Sequence, residues 1–205
     1  KDKQLSLFLK KKFKDNKNLK IINRDILDVI KEKKSYKQLI IFGNLPYNIS
    51  TQILANLIMQ NIWPPWYDMM VFMFQKEVAD RIIAKSHTKE FGRLSVLANW
   101  RLEVKKHFNI SKNCFFPRPK IESTVLSFKP KISNKYPLKN PRNLEEVTRI
   151  LFSNRRKMIN KNFIKLFGKN SYVKDKLNLD LSKRPEELNN NIFYQIAIEY
   201  EKLNN

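Results

Sequence analysis

The stretch LIIFGNLPYNIS, residues 39–50, carries the most information about the fold. Its apolar first half predicts a strand, and that strand ends on Asn44-Leu45-Pro46-Tyr47. Pro46 lacks a backbone N–H and biases Leu45 away from helical geometry, so these residues are predicted to form a turn. Ligands of open α/β sheets bind beyond the carboxyl ends of the strands, and the turn therefore lies where a ligand is expected.

The sequence on both sides of this stretch alternates between helical and strand patterns. Helices are predicted at residues 4–14, 50–61, 75–84 and 92–100, and strands at residues 19–24, 38–43, 69–74, 101–109 and 123–129. Ser50 or Thr51 is expected to cap the second of these helices. The run MMVFMF, residues 69–74, is continuously apolar, as in a parallel strand that is buried on both faces. Such alternation is typical of an α/β sheet.

The C-terminal third of the sequence has a different pattern. A Lys-, Asn- and Pro-rich stretch from Pro130 to Pro141 is predicted to be a linker. Further helices are predicted at residues 143–168, 171–178, 184–189 and 191–203. We therefore expect an α/β domain at residues 1–130 and a small α-helical domain at residues 131–205.

Glycine is scarce for a nucleotide-binding α/β protein. The chain has three glycines, Gly43, Gly92 and Gly168, and none belongs to the G-x-G loop that usually follows the first strand of such a sheet. The pattern opens with a helix that is followed by a strand. We therefore expect the first strands of the sheet to precede residue 1.

The composition favours a soluble protein with a polyanionic partner. No apolar run approaches the roughly 18 residues that span a membrane, and no signal-peptide pattern opens the sequence, so a cytoplasmic location is expected. The net charge is +22, from 41 basic and 19 acidic residues. Because each phosphate contact releases counterions, such a charge favours nucleic acid as the partner. The alternative is a lysine-rich composition that only adds solvated charges.

The residues that commonly bind metals are few. Cys114 is the single cysteine, and His87 and His107 lie far from each other in the sequence. An internal disulfide is thus excluded, and a zinc site is not expected.

The turn after the central strand carries groups that suit a flat, amino-bearing base. The Asn44 side-chain oxygen and a backbone carbonyl near Pro46 would accept the two hydrogens of an exocyclic amino group, and Tyr47 would offer a ring for stacking. Accepting both hydrogens localises the nitrogen lone pair, so the nitrogen could attack a methyl group on a sulfonium in line. The ring face of Tyr47 is expected to matter and its hydroxyl is not. The alternative is a proline-terminated strand with a packed tyrosine.

Six segments together resemble the small-subunit ribosomal RNA adenine N6-dimethyltransferases. The resemblance covers nearly the whole chain, in the family's order. The segments are NRDIL (23–27), FGNLPYNIS (42–50), FMFQKEVADRI (72–82), EFGRLSV (90–96), FFPRPKIESTVL (115–126) and FSNRRKMINKNF (152–163). The resemblance implies the Rossmann-like α/β sheet of class I methyltransferases, a C-terminal α-helical rRNA-binding domain and S-adenosylmethionine as the cofactor, without a metal.

The resemblance also implies roles for individual residues. Asp25 would accept a hydrogen bond from the cofactor's adenine, Ile26 would donate its backbone N–H to that adenine, and Asn44 would contact both cofactor and target amine. The catalytic residues would be Asn44, Leu45, Pro46, Tyr47 and Phe116. Phe116 would be the second stacking surface, and Phe115 the core residue. Asp25 could instead serve only as a helix N-cap.

The resemblance further implies an RNA surface. The residues expected to contact RNA are Arg118, Lys120, Arg155, Arg156, Lys157 and Lys161. Lys157, Lys161 and Lys165 recur at i+4 and are predicted to form one ridge of a helix. Runs of this kind are often solvated faces, which is the alternative.

The activity implied is methyl transfer to the N6 groups of two adjacent adenines in a hairpin loop near the 3′ end of small-subunit rRNA, during ribosome biogenesis. We expect a monomer whose partner is the small-subunit rRNA or the pre-small subunit, and no membrane contact. Two alternatives remain open. One is a resistance-type methyltransferase of large-subunit rRNA, and the other is a non-catalytic assembly factor on the same scaffold.

Overall fold

The computed structural model describes residues 2–32, 39–169 and 172–204. The chain divides into two compact units, residues 1–34 and 35–205. The sheet and the C-terminal helices both belong to the second unit, so the domain boundary expected at residue 130 stays a prediction.

The first unit contains two helices, α1 (Lys3–Lys12) and α2 (Ile26–Lys31). Each begins after an aspartate whose side chain accepts a backbone hydrogen bond: Asp2 from the Leu5 N–H at 2.8 Å, and Asp25 from the Leu27 N–H at 3.0 Å. The helix predicted at 4–14 is thus confirmed. The strand predicted at 19–24 is wrong: these residues have no regular secondary structure, with a bend at Arg24, and no described strand pairs with them. A strand exists only through its hydrogen bonds to a neighbour.

Four strands form one sheet in the described part of the second unit. In chain order they are β1 (Ile40–Asn44), β2 (Met69–Gln75), β3 (Leu102–Ile110) and β4 (Ser123–Pro130). The order across the sheet is β1-β2-β4-β3, with β1 and β2 parallel and the other two pairs antiparallel. Strand β2 is therefore parallel on one side only, and its side chains alternate between buried and half-buried positions. The prediction that this strand is buried on both faces is therefore wrong, and the prediction that it is parallel is confirmed only for its pairing with β1.

Three helices follow the alternation predicted from the sequence: α3 (Ser50–Ile58), α4 (Lys76–Ile83) and α5 (Arg93–Arg101). Their apolar residues join the core with alternate residues of the strands. The core includes Leu54, Phe72, Ile82, Trp100 and Phe128, each at most 2% exposed. Rings of Phe72, Phe74 and Phe128 lie about 6 Å apart on one face of β2 and β4, which fixes how these strands pack.

The C-terminal helices are α6 (Arg142–Leu151), α7 (Asn160–Phe167), α8 (Val173–Lys176) and α9 (Asn190–Asn204). The single helix predicted at 143–168 is wrong, because the chain leaves the helix after Leu151 and re-enters one at Asn160. The buried Asn162 side chain donates to the Leu151 carbonyl at 3.2 Å, and the Ile159 N–H donates to the Lys183 carbonyl at 2.9 Å. These bonds satisfy backbone groups that a continuous helix would pair internally.

The stretch predicted to be a linker is held at its end by a buried carboxylate. Glu201 on α9 accepts from the backbone N–H groups of Lys139 at 2.9 Å and Asn140 at 2.8 Å. It also accepts from the Asn143 side chain at 2.9 Å. The C-terminal helix therefore fixes the entry into α6.

The loop that contains Trp63 and Trp66 is anchored by a buried arginine. Arg101 is 4% exposed, and its guanidinium lies 4.8 Å from the Trp63 ring centroid and 4.0 Å from that of Trp100. It donates to the carbonyls of Ile58 at 3.0 Å and Gln60 at 2.7 Å. Burial lowers the pKa of Arg101 to about 10, so the side chain stays charged at neutral pH. Arg101 thus fixes the start of this loop to the C-terminal end of α5.

We expect Arg101→Met to lower the free energy of unfolding by about 2–3 kcal/mol, because two carbonyls lose a charged donor. Arg149→Met is the matched control, since Arg149 is exposed and pairs with Glu146 on its own helix. It should change stability by less than about 0.5 kcal/mol. Urea denaturation measures both variants, and equal effects would contradict the anchoring role of Arg101.

Candidate active site

The ends of three strands meet at one edge of the sheet. Asn44 ends β1 and pairs with Met73 of the parallel strand β2, which continues to Gln75. Gln75 pairs with Ser123, the first residue of the antiparallel strand β4. The carboxyl ends of β1 and β2 and the amino end of β4 therefore share this edge, where ligands of open sheets bind.

The turn after β1 is held by hydrogen bonds within itself. The Ile49 N–H donates to the Pro46 carbonyl, and the Ser50 hydroxyl donates to the Tyr47 carbonyl, both at 3.1 Å. The expected cap role of Ser50 or Thr51 is wrong: Ile49 is the N-cap of α3 and makes no side-chain cap bond. The buried Ser50 hydroxyl points back to the turn instead of accepting a helix N–H.

Two acceptors of the turn remain available. Asn44 is exposed at the strand end, and among the described residues nothing hydrogen-bonds to its side-chain amide or to the Leu45 carbonyl. The Pro46 carbonyl, by contrast, already accepts from Ile49. The geometry thus favours the Asn44 amide oxygen and the Leu45 carbonyl as the pair of free acceptors.

Gly43 allows this turn to approach the core, a role that was not predicted from the sequence. A Cβ atom at Gly43 would lie 2.7 Å from Phe72 Cδ1 and 2.7 Å from Leu45 Cδ2. Phe72 is almost fully buried, so its ring has little room to move. The glycine in front of Asn44 is required by this close approach.

Tyr47 is half-buried, and its hydroxyl lies 2.9 Å from the Ser123 hydroxyl, within hydrogen-bonding distance. Ser123 itself is fully buried. Ser123 was not predicted as a site residue, although it lies in the segment FFPRPKIESTVL, residues 115–126.

The two neighbouring phenylalanines differ in exposure. Phe116 is fully exposed, and Phe115 is half-buried. The loop that carries them ends at Glu122, whose carbonyl accepts from the Lys76 N–H at 3.0 Å and whose carboxylate pairs with Lys76 Nζ at 3.2 Å. The loop base is therefore fixed at the end of β2, while the Phe116 ring is free to meet a ligand.

Asp25 and Ile26 lie in the first unit. Asp25 Oδ1 caps α2 through the Leu27 N–H, and Ile26 is the first residue of that helix. A backbone N–H in the first turn of a helix has no intrahelical partner. The N-cap role of Asp25 is thus confirmed, and its ligand role stays a prediction.

The basic residues expected to contact RNA fall into two groups. Arg118, Lys120, Arg156, Lys157 and Lys161 are exposed. Arg155 is already engaged: it pairs with Glu186 at 2.8 Å and donates to the Lys89 carbonyl. The predicted ridge is also broken, because Lys157 precedes α7 while Lys161 and Lys165 lie on it.

The described residues contain no group of three or more His, Cys, Asp or Glu side chains that could hold a metal ion. In the same part of the chain, no helix is long and apolar enough to cross a membrane.

Comparison with solved structures identifies the fold. A dimethyladenosine transferase from Plasmodium falciparum superposes with a TM-score of 0.76 at 26% identity, over 98% of this chain and 80% of that one. The 23S rRNA methyltransferase ErmE superposes with a TM-score of 0.63 at 16% identity, over 98% of this chain and 79% of that one, and so shares the fold. The chain has the Rossmann-like fold of class I methyltransferases.

Sequence comparison identifies the family. The family model for ribosomal RNA adenine dimethylase matches residues 1–202. A ribosomal RNA small subunit methyltransferase A from Pelagibacter ubique is 47% identical over 203 residues, which are 99% of this chain and 76% of that protein. The protein of that name from Bradyrhizobium diazoefficiens is 42% identical over 149 residues, 72% of this chain and 51% of that protein. The chain belongs to the ribosomal RNA adenine dimethylase family.

Proposed function

We propose that the protein containing this chain transfers methyl groups to the N6 amino groups of two adjacent adenines in small-subunit rRNA, in a hairpin loop near the 3′ end. The observation that carries this proposal is the pair of free acceptors at the end of β1, the Asn44 amide oxygen and the Leu45 carbonyl, directly followed by the Tyr47 ring. The relatives named small subunit methyltransferase A support the small subunit as the target.

The two acceptors suit the chemistry of an adenine amino group. Its nitrogen is a weak nucleophile because the lone pair is delocalised into the ring. Asn44 and Leu45 would accept the two amino hydrogens and hold the nitrogen in a geometry that localises the lone pair. These bonds strengthen as positive charge develops on the nitrogen, so they stabilise the transition state more than the bound substrate.

The aromatic residues would hold the target base. An adenine within an RNA loop must leave its stack before its amino group reaches the strand end. Tyr47 would stack on the extruded base, and the exposed Phe116 would supply the second surface. Base–aromatic stacking contributes about 1–3 kcal/mol per base.

S-adenosylmethionine, the cofactor expected for this family, supplies a methyl group on a sulfonium when bound. The family's motifs assign three residues of this chain to it: Asp25 carries a carboxylate, Ile26 a backbone N–H in the first turn of α2, and Asn44 a side-chain amide at the end of β1. A hydrogen bond from the cofactor's adenine to the Asp25 carboxylate would be charge-assisted, and it would therefore be the strongest of these bonds.

The basic surface would supply the affinity for rRNA. Arg156 and Lys157 project from the turn between α6 and α7, and Arg118 and Lys120 follow Phe116 on its loop. With a net charge of +22, the chain is expected to bind rRNA through phosphate contacts, as a monomer. Arg155 instead holds the segment around Lys89 and Glu186 together.

We expect Asn44→Ala to lower the single-turnover rate about 100- to 1,000-fold at saturating cofactor, as the loss of one oxyanion-hole donor does elsewhere. RNA affinity should change little. The substrate is the undermethylated small subunit. Asn48→Ala is the control, because Asn48 is an exposed amide in the same turn. Wild-type turnover by Asn44→Ala would contradict the acceptor role.

We expect Asp25→Ala to weaken binding of S-adenosylmethionine about 10- to 100-fold, through loss of a charge-assisted hydrogen bond. Asp25→Asn keeps both the cap and an acceptor oxygen, and should lose less affinity. Asp28→Ala, which removes an acidic group from the same helix turn, is the control. Calorimetry gives the dissociation constants, and an unchanged value for Asp25→Ala would remove this residue from the site.

Replacing Arg156 and Lys157 together by alanine should reduce the slope of log affinity against log salt by about 2 units, if each side chain contacts a phosphate. The matched control replaces Arg142 and Arg149, which pair with glutamates on their own helix, and so removes the same charge. RNA binding is measured between low and physiological salt. Equal slopes for the two double variants would make Arg156 and Lys157 an ordinary solvated surface.

A further inference from the structure

The hydrogen bond between Tyr47 and Ser123 crosses one strand of the sheet. Tyr47 follows β1 and Ser123 begins β4, and β2 lies between these two strands. The two hydroxyl oxygens are nevertheless 2.9 Å apart. The Tyr47 side chain therefore reaches over the end of β2, where Gln75 pairs with Ser123.

Ser123 is well suited to fix the Tyr47 ring. Its side chain is fully buried, and its backbone is held on both sides by pairing with Gln75 of β2 and Ile110 of β3. With Tyr47 in place, the Ser123 side chain is shielded from solvent, and the Tyr47 hydroxyl lies within hydrogen-bonding distance of it. An unpaired buried hydroxyl is costly, so the bond favours one orientation of the ring.

Ser123 is also joined to the loop that carries the other aromatic surface. Phe116 lies seven positions before Ser123 in the sequence, and the intervening Glu122 is fixed to Lys76 by its carbonyl and by its carboxylate. The bond from Tyr47 to Ser123 therefore links the turn after β1 to the base of the Phe116 loop. The sequence suggested no such link, because the two residues are 76 positions apart.

We propose that Ser123 is a positioning residue, whose hydroxyl fixes the plane of the Tyr47 ring relative to the acceptors Asn44 and Leu45 and to the Phe116 loop. The inference rests on the proposed function. The ring's face stacks on the base, and its hydroxyl sets the angle at which the base is held. The expectation that the Tyr47 hydroxyl is dispensable is therefore replaced by a role in orientation.

This role has a specific kinetic consequence. A tilted base still stacks, so binding of the RNA changes little. Its amino group, however, no longer meets both acceptors in line with the methyl donor. A misplacement of this kind lowers the rate of the chemical step more than the affinity.

The test compares Tyr47→Phe, Ser123→Ala and the double variant in the protein that contains this chain. Single-turnover methyl transfer to undermethylated small subunits is measured over a range of RNA concentrations. Each single variant should lose about tenfold in the maximal rate with little change in half-saturation, as expected for one lost hydrogen bond. The double variant should lose no more than either single variant, because the same bond is removed.

Ser127→Ala is the matched control. Ser127 lies on the same face of β4 as Ser123, and its hydroxyl bonds to His107 at 2.8 Å, away from the strand end. It should keep the wild-type rate. Thermal melting of all variants separates a loss of fold from a loss of orientation, and Tyr47→Phe alone suffices if Ser123→Ala does not fold.

Wild-type rates in both Tyr47→Phe and Ser123→Ala would overturn the inference and leave the proposed function standing. Multiplicative losses in the double variant would also overturn it, since the two hydroxyls would then act separately. A wild-type protein that transfers no methyl group to these subunits would overturn the proposed function, and this inference with it.

Discussion

The pairing of β2 with β1 in parallel and with β4 in antiparallel is the constraint on which the candidate site depends. Parallel pairing brings the carboxyl ends of β1 and β2 to one edge. Antiparallel pairing brings the start of β4, with the loop before it, to the same edge. Asn44, Gln75 and Ser123, which are 31 and 48 positions apart in the sequence, thus meet at this edge. The packed rings of Phe72, Phe74 and Phe128 hold β2 and β4 together.

In the turn at this edge, some polar groups accept hydrogen bonds from the protein and others remain free. The Pro46 and Tyr47 carbonyls accept from Ile49 and Ser50, and these two hydrogen bonds hold the turn in its conformation. The Asn44 amide and the Leu45 carbonyl have no hydrogen-bond partner within the described residues. Acceptors that the turn already holds in place need little reorganisation when a ligand binds. Such preorganisation is what allows polar groups to stabilise a transition state electrostatically.

The sequence predicted the elements whose apolar pattern is long and regular. The helices α3, α4 and α5 and the strands β1 to β4 all lie within a few residues of their predicted positions. The errors fall where distant residues decide local structure. Residues 19–24 have strand composition but no described strand beside them. The helix predicted at 143–168 is interrupted because Asn162 and Lys183 satisfy backbone groups between Leu151 and Asn160.

The candidate site, too, was predicted only in part from the sequence. Asn44, Tyr47 and Phe116 were predicted from the sequence because their residue types suit the chemistry and match the family's motifs. Ser123, Gly43 and the engagement of Arg155 by Glu186 were not, since each depends on a contact between distant segments or on close packing. Sequence patterns thus predict which groups would meet a ligand, and the structure adds the contacts that hold those groups in place.

We propose that the shared end of β1, β2 and β4 holds an adenine of small-subunit rRNA for methyl transfer at N6. The most direct measurement is mass spectrometry of nucleosides from undermethylated small subunits, after incubation with the protein that contains this chain and S-adenosylmethionine carrying a labelled methyl group. We expect labelled N6,N6-dimethyladenosine at two adjacent positions near the 3′ end of the small-subunit rRNA. Label found only in large-subunit rRNA, or on no adenine, would contradict the proposal.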